Sequence, residues 1–263
     1  MLLLICAAQA MTVEEIRLPY SVAGFDPGAV DSPPRGGELL SAGPRGMLAL
    51  YNPVSAAVIV LDSDHHVTAI VDAIGVGSIA WVDDGRLLLY APHRRELTLH
   101  GPDGALLDTA GLPDIVPPGG RVSVSAAEVF IVDVFGSRHR AARIADGLLP
   151  PEGRTLVPGA DRIRWEPDHG RLTVDGVHWP LPDAIKASAR LIGADWLLID
   201  QVVGESPIVA TRTAVLRETG EHHSLPVEGR QYVPRVDVVS DEAGELIYLD
   251  PRVDGLYLIR VTP

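Results

Sequence analysis

Short apolar runs that end in Tyr or Asp recur along the whole chain. Six runs share this form, at residues 48–51, 87–90, 130–133, 172–175, 197–200 and 247–250, and they end in Tyr51, Tyr90, Asp133, Asp175, Asp200 and Asp250. Successive end residues lie 39, 43, 42, 25 and 50 positions apart, close to the repeat of about 40 residues that is typical of β-propeller blades. Because a blade cannot bury both faces of its sheet alone, this period predicts sheets arranged in a closed ring.

Turn residues divide the second repeat into four strands. Apolar alternation predicts strands at 78–82, 86–90, 96–100 and 105–109, with Gly85 and Gly104 in the first and last turns. Tight hairpins favour Gly and Asp because these residues adopt positive φ at low cost. The same punctuation recurs in the other repeats, which supports a repeat of four strands counted outward from the ring axis.

The final repeat is one strand short. Strands are predicted at 235–239, 245–250 and 256–261, after which the chain ends. We therefore predict that residues 13–18 supply the missing outer strand and join the two ends of the chain in one sheet. This pairing would remove exposed sheet edges that invite aggregation. The predicted fold is an all-β, six-bladed β-propeller spanning residues 11–263 as one domain.

The fourth repeat is irregular. Only 25 residues separate Asp175 from Asp200, too few for a complete set of strands, so residues 177–181 are predicted as a short third strand with no fourth. The structural alternative is a five-bladed ring with an insertion.

Composition and charge exclude some classes of partner. The chain has 263 residues, 46% of them hydrophobic, with 26 Gly, 22 Pro and a formal net charge of −13. Nucleic acids and anionic membranes both require a basic surface, so neither is a predicted partner. The apolar content is ample for a core, and the Gly and Pro counts fit a chain that turns often.

Residues 1–10 have the pattern of a signal-peptide remnant. An apolar run at residues 2–5 precedes Ala8 and Ala10, which fit a small-x-small cleavage site, although no basic segment comes before the run. This pattern predicts a periplasmic or extracellular protein whose mature chain begins at Met11, and the alternative is a cytoplasmic protein. The apolar run is too short to span a membrane. Cleavage would remove Cys6, the single cysteine of the chain, and with it any disulfide or thiol chemistry.

The last repeat carries a family resemblance. Residues 245–251, with Tyr248 and Asp250, resemble the second-strand signature of the NHL and YWTD group of six-bladed propellers. Residues 85–104 are similar, with Tyr90 in place of the closing Asp. The resemblance implies the propeller fold over residues 38–263 and structural, hydrogen-bonding roles for the closing Asp residues. It implies no particular activity, because that group includes receptors, scaffolds, lyases and metal-dependent lactonases.

Candidate metal ligands have structural explanations. Four carboxylates at equivalent strand ends could bind Ca²⁺, but we interpret Asp133, Asp175, Asp200 and Asp250 as acceptors of local hydrogen bonds. Two His pairs, 65–66 and 222–223, are predicted in outer turns of different blades, where neither has a complete ligand set for zinc. The sequence contains no Gly-x-Ser-x-Gly, His-Glu-x-x-His or Walker-type motif. No metal, no cofactor and no identifiable catalytic residue is therefore predicted.

Polar residues alternate with apolar ones on the innermost strands. If one strand face lines the channel, a candidate ligand-binding mouth contains Arg121, Arg162, Arg164, Arg235 and Asp237. Arginines in a concavity suit carboxylate or phosphate groups, which they bind with paired hydrogen bonds. The alternative is mutual neutralisation, with Arg164 paired to Glu166 and Arg235 paired to Asp237 or Glu38.

These patterns favour a non-catalytic binding or protein-docking propeller whose partner is a protein or a small anionic ligand at the mouth. The alternative is a propeller hydrolase or lyase that acts on a small anionic substrate. Asp237 and Glu166 are the candidate general bases, but neighbouring arginines would lower the pKa of each carboxyl and make it a poor base.

Overall fold

The architecture comes from a computed structural model. It describes residues 11–18, 39–53, 55–82, 84–112, 114, 116–117, 119–133, 136–151, 156–157, 163–203, 209–225, 238–252 and 255–263. This part of the chain is almost entirely β, with two single-turn 3₁₀ helices at Pro44–Gly46 and Pro167–His169.

Six antiparallel sheets follow one another along the chain. The N-terminal strand is β1 (Thr12–Leu18). Sheet 1 contains β2 (Leu39–Ala42), β3 (Leu48–Asn52), β4 (Ala57–Leu61) and β5 (Val67–Asp72). Sheet 2 contains β6 (Ser78–Trp81), β7 (Leu87–Ala91), β8 (Glu96–His100) and β9 (Leu106–Gly111). Sheet 3 contains β10 (Arg121–Ser125), β11 (Glu128–Val132), β12 (Arg138–Ile144), β13 (Leu148–Leu149) and β14 (Leu156–Val157).

The second half of the chain continues the series. Sheet 4 contains β15 (Ile163–Glu166), β16 (Arg171–Val174) and β17 (Val177–Pro180). Sheet 5 contains β18 (Ala184–Ile192), β19 (Trp196–Val203), β20 (Val209–Leu216) and β21 (His222–Leu225). Sheet 6 contains β22 (Val238–Ser240), β23 (Leu246–Arg252), β24 (Gly255–Thr262) and the N-terminal β1.

The core lies between neighbouring sheets. Strands β3, β4 and β7 are buried along their whole length, as expected where both faces of a sheet are covered. Separate apolar clusters join sheet 1 to sheet 2, sheet 2 to sheet 3, sheet 4 to sheet 5, sheet 5 to sheet 6, and sheet 6 to sheet 1. The order of these clusters is the order of a ring, which confirms the predicted β-propeller fold. Six separate sheets favour the six-bladed prediction over a five-bladed ring with an insertion.

One junction in the ring differs from the others. Within the described ranges, no apolar cluster joins sheet 3 to sheet 4. Sheet 4 also has three strands there instead of four, as the short spacing between Asp175 and Asp200 predicted. This boundary is called the sheet 3–4 junction below.

The two ends of the chain meet in sheet 6, as predicted. Strand β1 pairs with β24 in continuous antiparallel register from Thr12 opposite Thr262 to Leu18 opposite Leu256. Arg252 strengthens this pairing because its two Nη atoms donate to the Glu15 carboxylate at 2.9 and 2.8 Å. The hydrogen bonds from Arg252 also lower the pKa of the Glu15 carboxyl.

Close packing of the inner strands depends on a glycine. The indole ring of Trp81 lies directly against the backbone of Gly43, and a Cβ atom at position 43 would overlap the ring. The Trp81 Nε1–H donates to the Ser41 carbonyl oxygen at 3.2 Å. Sheets 1 and 2 therefore pack closely near the axis because Trp81 fits against a residue that has no side chain.

We predict that removal of β1 opens the ring. A chain that begins at residue 19 should unfold at a markedly lower temperature than a chain that begins at Met11, because it exposes the edge of β24 and uncovers the cluster that joins sheets 6 and 1. Equal melting temperatures in calorimetry would contradict ring closure by β1.

Two point variants on β1 distinguish the loss of a buried side chain from the loss of an exposed one. Leu18, at 5% exposure, packs in the cluster between sheets 6 and 1, so Leu18→Ala should cost about 2–5 kcal/mol of unfolding free energy. Val13 lies on the same strand at 46% exposure, so Val13→Ala should change it by less than about 0.5 kcal/mol.

Candidate functional site

The innermost strands pack on both sides. In β6, Ile79 and Trp81 contact the cluster shared with sheet 1, whereas Ala80 contacts the cluster shared with sheet 3. Successive side chains of a strand point to opposite faces, and each face here meets a neighbouring sheet. The assumption that one whole face looks into the channel is therefore wrong, because an inner strand turns its edge, not a face, toward the axis.

A central cavity nevertheless exists where four inner strands converge. Its volume is about 270 Å³. It is lined by residues of β2, β6, β10, β11 and β22: Leu39, Leu40, Ser41, Ser78, Ile79, Arg121, Val122, Ser123, Val132 and Val239. The site is thus a small, mixed apolar and hydroxyl-bearing concavity with one cationic side chain among the described residues.

Arg121 is that cation. It begins β10, it is exposed, and it forms no hydrogen bond or ion pair in the part of the chain that the structure describes. Nearby, the Ser78 hydroxyl accepts a hydrogen bond from the Val122 N–H at 3.0 Å and so ties sheet 2 to sheet 3. Arg121 therefore stands on a fixed strand and brings to the cavity wall a charge that has no counter-ion among the described residues.

A second arginine lies beside it on the same face of sheet 3. Val122 and Ile131 pack toward sheet 2, so Arg121 and Val132, the next residues along their strands, face the other way. Cross-strand pairing aligns Arg121 with Val132 and Val132 with Arg138. This row of three residues runs outward from the cavity along the sheet 3–4 junction.

Arg138 is absent from the residues predicted for the mouth. Its signal in the sequence is the alternation of Arg138 and Arg140 on β12, which predicts that both side chains share one face of the sheet. The predicted mouth residues all belong to the innermost strands, whereas Arg138 lies two strands farther from the axis.

Arg164 lies across the sheet 3–4 junction. Its neighbours Ile163 and Trp165 pack toward sheet 5, so Arg164 occupies the opposite face of β15, where it is exposed. Like Arg121, it has no hydrogen bond or ion pair within the described ranges.

Glu166 does not pair with Arg164, and that part of the neutralisation hypothesis is wrong. The Glu166 carboxylate accepts from Arg171, at 2.7 Å from Nε and 2.6 Å from Nη2. These hydrogen bonds lower the pKa of the Glu166 carboxyl, as predicted for a poor base, but the partner is on β16. Paired antiparallel strands bring Glu166 directly opposite Arg171, which sequence distance alone did not reveal.

Four other residues named for the mouth lie outside the described residues. These are Arg162, Arg235 and Asp237 of the predicted site and Glu38, a predicted counter-ion. Of the cavity-lining residues that the structure describes, none is a carboxylate or a histidine.

Each strand-end aspartate contacts a histidine or arginine side chain. Asp133 accepts from the Ser137 N–H at 2.9 Å and contacts His139 Nε2 at 3.0 Å. The other three contact arginine side chains: Asp175 with Arg217, Asp200 with Arg212, and Asp250 with Arg252. These partners lie in different parts of the ring and support the structural interpretation of the four carboxylates.

The paired histidines occupy different settings. His222 and His223 were predicted in a turn, but they lie in β21, because the turn ends at Gly220 with φ +78°. His223 Nε2 lies 3.1 Å from the Tyr248 hydroxyl and links sheet 5 to sheet 6. Burial lowers the pKa of His223.

His65 and His66 do lie between β4 and β5. Asp62, Asp64 and His66 place ligand atoms close together there. The Asp62 carboxylate, however, already accepts the backbone N–H groups of Asp64 and His66 at 3.0 and 2.8 Å. These contacts are those of a solvated turn.

Comparison with known proteins identifies the fold and no family. No family model matches the chain, and no curated protein matches it. A streptogramin B lyase structure matches with TM-score 0.54 at 10% identity, over 96% of this chain and 98% of that chain. A catalytically inactive histidine-to-alanine variant of virginiamycin B lyase from Staphylococcus aureus, with quinupristin, matches with TM-score 0.55 at 9% identity, over 96% and 100%. These similarities confirm the β-propeller at the level of fold.

The two described helices are each a single turn long. Among the described residues, none of the helices has the length and apolar character needed to cross a bilayer.

We predict a structural role for Asp133. Asp133→Ala should lower the unfolding free energy by about 1–3 kcal/mol, because the Ser137 N–H loses its acceptor. Asp133→Asn keeps an acceptor oxygen and should cost less in urea denaturation. A melting temperature that shifts by several degrees on adding Ca²⁺ or EDTA would instead indicate a metal role for the strand-end carboxylates.

Stability should fall in mild acid because of buried histidines. His100 is 6% exposed, and burial lowers its pKa. The folded protein then binds fewer protons than the unfolded chain near the ordinary histidine pKa of about 6.5, so stability is lost as pH falls through that value. Urea denaturation at pH 7.5 and 5.5 should show a smaller pH difference for His100→Asn than for the wild type. Equal differences would exclude His100 as a source of the acid sensitivity.

Proposed function

We propose that the protein is a non-catalytic binding propeller that takes a small anionic ligand into the central cavity. The observation that carries this proposal is Arg121, which lines the cavity and has no counter-ion among the described residues. In a chain of net charge −13, a cation without a local partner at a concave site favours an anion from solution.

The chemistry of the wall suits a carboxylate, phosphate or sulfate. The Arg121 guanidinium offers a planar pair of donors for two oxygens of one anionic group. Ser41 and Ser123 also line the cavity, and their hydroxyls supply further hydrogen-bonding groups. Leu39, Leu40 and Val239 provide apolar surface for the remainder of the ligand.

Binding is favoured over catalysis because the described wall lacks an acid or base. Proton transfer requires a titratable group within hydrogen-bond reach of the reacting atom. The described candidate, Glu166, is held by Arg171 with its pKa lowered. The lyase structures that match this chain share 10% and 9% of its residues. At that identity the match concerns the fold alone and does not favour a lyase reaction here.

The proposed setting is the periplasm or the exterior of the cell. The proposal rests on the sequence of residues 1–10, in which an apolar run precedes the small residues Ala8 and Ala10. A fusion of residues 1–30 to a reporter enzyme that folds only after export would test it.

We predict that anions stabilise the protein through Arg121. At low salt, carboxylates, phosphate or sulfated sugars should raise the melting temperature, since a ligand bound to the folded state adds about 2.7 kcal/mol at a concentration of 100 times Kd. The shift should shrink at higher ionic strength, where charges are screened over about 8–10 Å.

Matched variants decide whether Arg121 is responsible. Arg121→Ala should abolish the shift while the variant stays folded, because the side chain is exposed. Arg94→Ala removes the same charge from an exposed surface pair with Glu96 and should respond as the wild type does. If no anion shifts the wild type, or if Arg121→Ala responds normally, the cavity is not the binding site and a protein-docking role on the outer surface becomes the better explanation.

A further inference from the structure

The row Arg121, Val132 and Arg138 on sheet 3 places two cations on one face. Both arginines lack hydrogen bonds and ion pairs within the described part of the chain. Neighbouring strands are about 4.8 Å apart, so the Cα atoms of residues two strands apart are about 10 Å apart. Two arginine side chains that start about 10 Å apart on one face of a sheet can both reach a small ligand that lies between them.

Local charge balance distinguishes this pair from its neighbours. Arg140, on the same face, is paired with Glu128 at 2.8 Å, and Arg171 is paired with Glu166 within sheet 4. Among the described residues, Arg121, Arg138 and Arg164 have no such partner. An anion that binds between Arg121 and Arg138 would be attracted by both charges.

Arg138 is held in place before any ligand arrives. Its guanidinium lies 4.0 Å from the centre of the Phe130 ring, in a cation–π contact that restricts a flexible side chain. A charge that is already positioned loses less conformational entropy on binding. Arg138 therefore has the property expected of a binding residue rather than of a freely solvated one.

We infer that the ligand is a dianion, with two carboxylates or similar groups joined by an apolar spacer. One anionic group binds Arg121 in the central cavity, and the other binds Arg138 at the sheet 3–4 junction. The spacer lies over Val132, which is half-buried and lines the cavity. This inference rests on the proposed function, because it assigns a ligand class to the same cavity.

Pairs of acids with equal carbon number test the inference. Isothermal titration of the full chain at low salt should give a Kd for adipate about tenfold below that for hexanoate, since a charge-assisted hydrogen bond contributes about that factor or more. Succinate against butyrate repeats the comparison with a shorter spacer. In Arg138→Met, which keeps apolar cover over Phe130, adipate should bind no better than hexanoate. Arg94→Met is the matched control and should retain the tenfold preference.

The outcomes separate the two proposals. If hexanoate and adipate bind equally well to the wild type and both are lost in Arg121→Ala, the cavity binds anions but the dianion inference fails. If adipate keeps its advantage in Arg138→Met, the second group binds elsewhere and the inference also fails. If no acid binds the wild type and no phosphate or sulfated sugar raises its melting temperature, the proposed function itself is overturned. Circular dichroism of each variant checks that it is folded.

Discussion

Apolar packing between neighbouring sheets is the constraint on which the rest of the structure depends. Five of the six junctions between sheets are filled by apolar clusters, and strands such as β3 and β7 are buried from end to end. The sheets therefore stabilise one another through their neighbours, as in other repeat architectures. This packing between sheets fixes the positions of the inner strands. The central cavity is consequently a place where four separately supported strands meet, which gives its wall a fixed geometry.

Within the described ranges, the exception to this packing is also where arginines without a counter-ion lie. At the sheet 3–4 junction, the described faces carry arginines where the other junctions carry Leu, Ile and Val. Burying a charge without a partner is costly, so such faces do not close as tightly as apolar ones. The protein as a whole is acidic, yet Arg121, Arg138 and Arg164 stand on the two sides of one boundary. The site proposed for anions thus lies at the one junction where the described residues form no apolar cluster.

Much of the fold was accessible from the sequence because it depends on short-range patterns. The runs that end at Tyr90 or Asp200, with turn residues on either side, fix strand positions locally, and the short final repeat indicated the pairing of β1 with β24. The candidate site was less accessible. The register between β15 and β16 decides which arginine lies opposite Glu166. The row from Arg121 to Arg138 likewise depends on the register of three strands. His222 is a local example of the same difficulty. A turn that is shorter by one residue places His222 in a strand instead of in the turn.

The pairing of Thr12 with Thr262 has a consequence for synthesis of the protein. These partners are far apart in the chain, so β1 leaves the ribosome before the other described strands, and β24 leaves after them. Contacts of such sequence separation carry the largest loop-closure cost and form late. Until then, both β1 and the last sheet present unpaired backbone groups of the kind that chaperones shield. The nascent propeller is therefore most exposed to misassembly just before β24 pairs with β1, when the other sheets exist but the ring is still open.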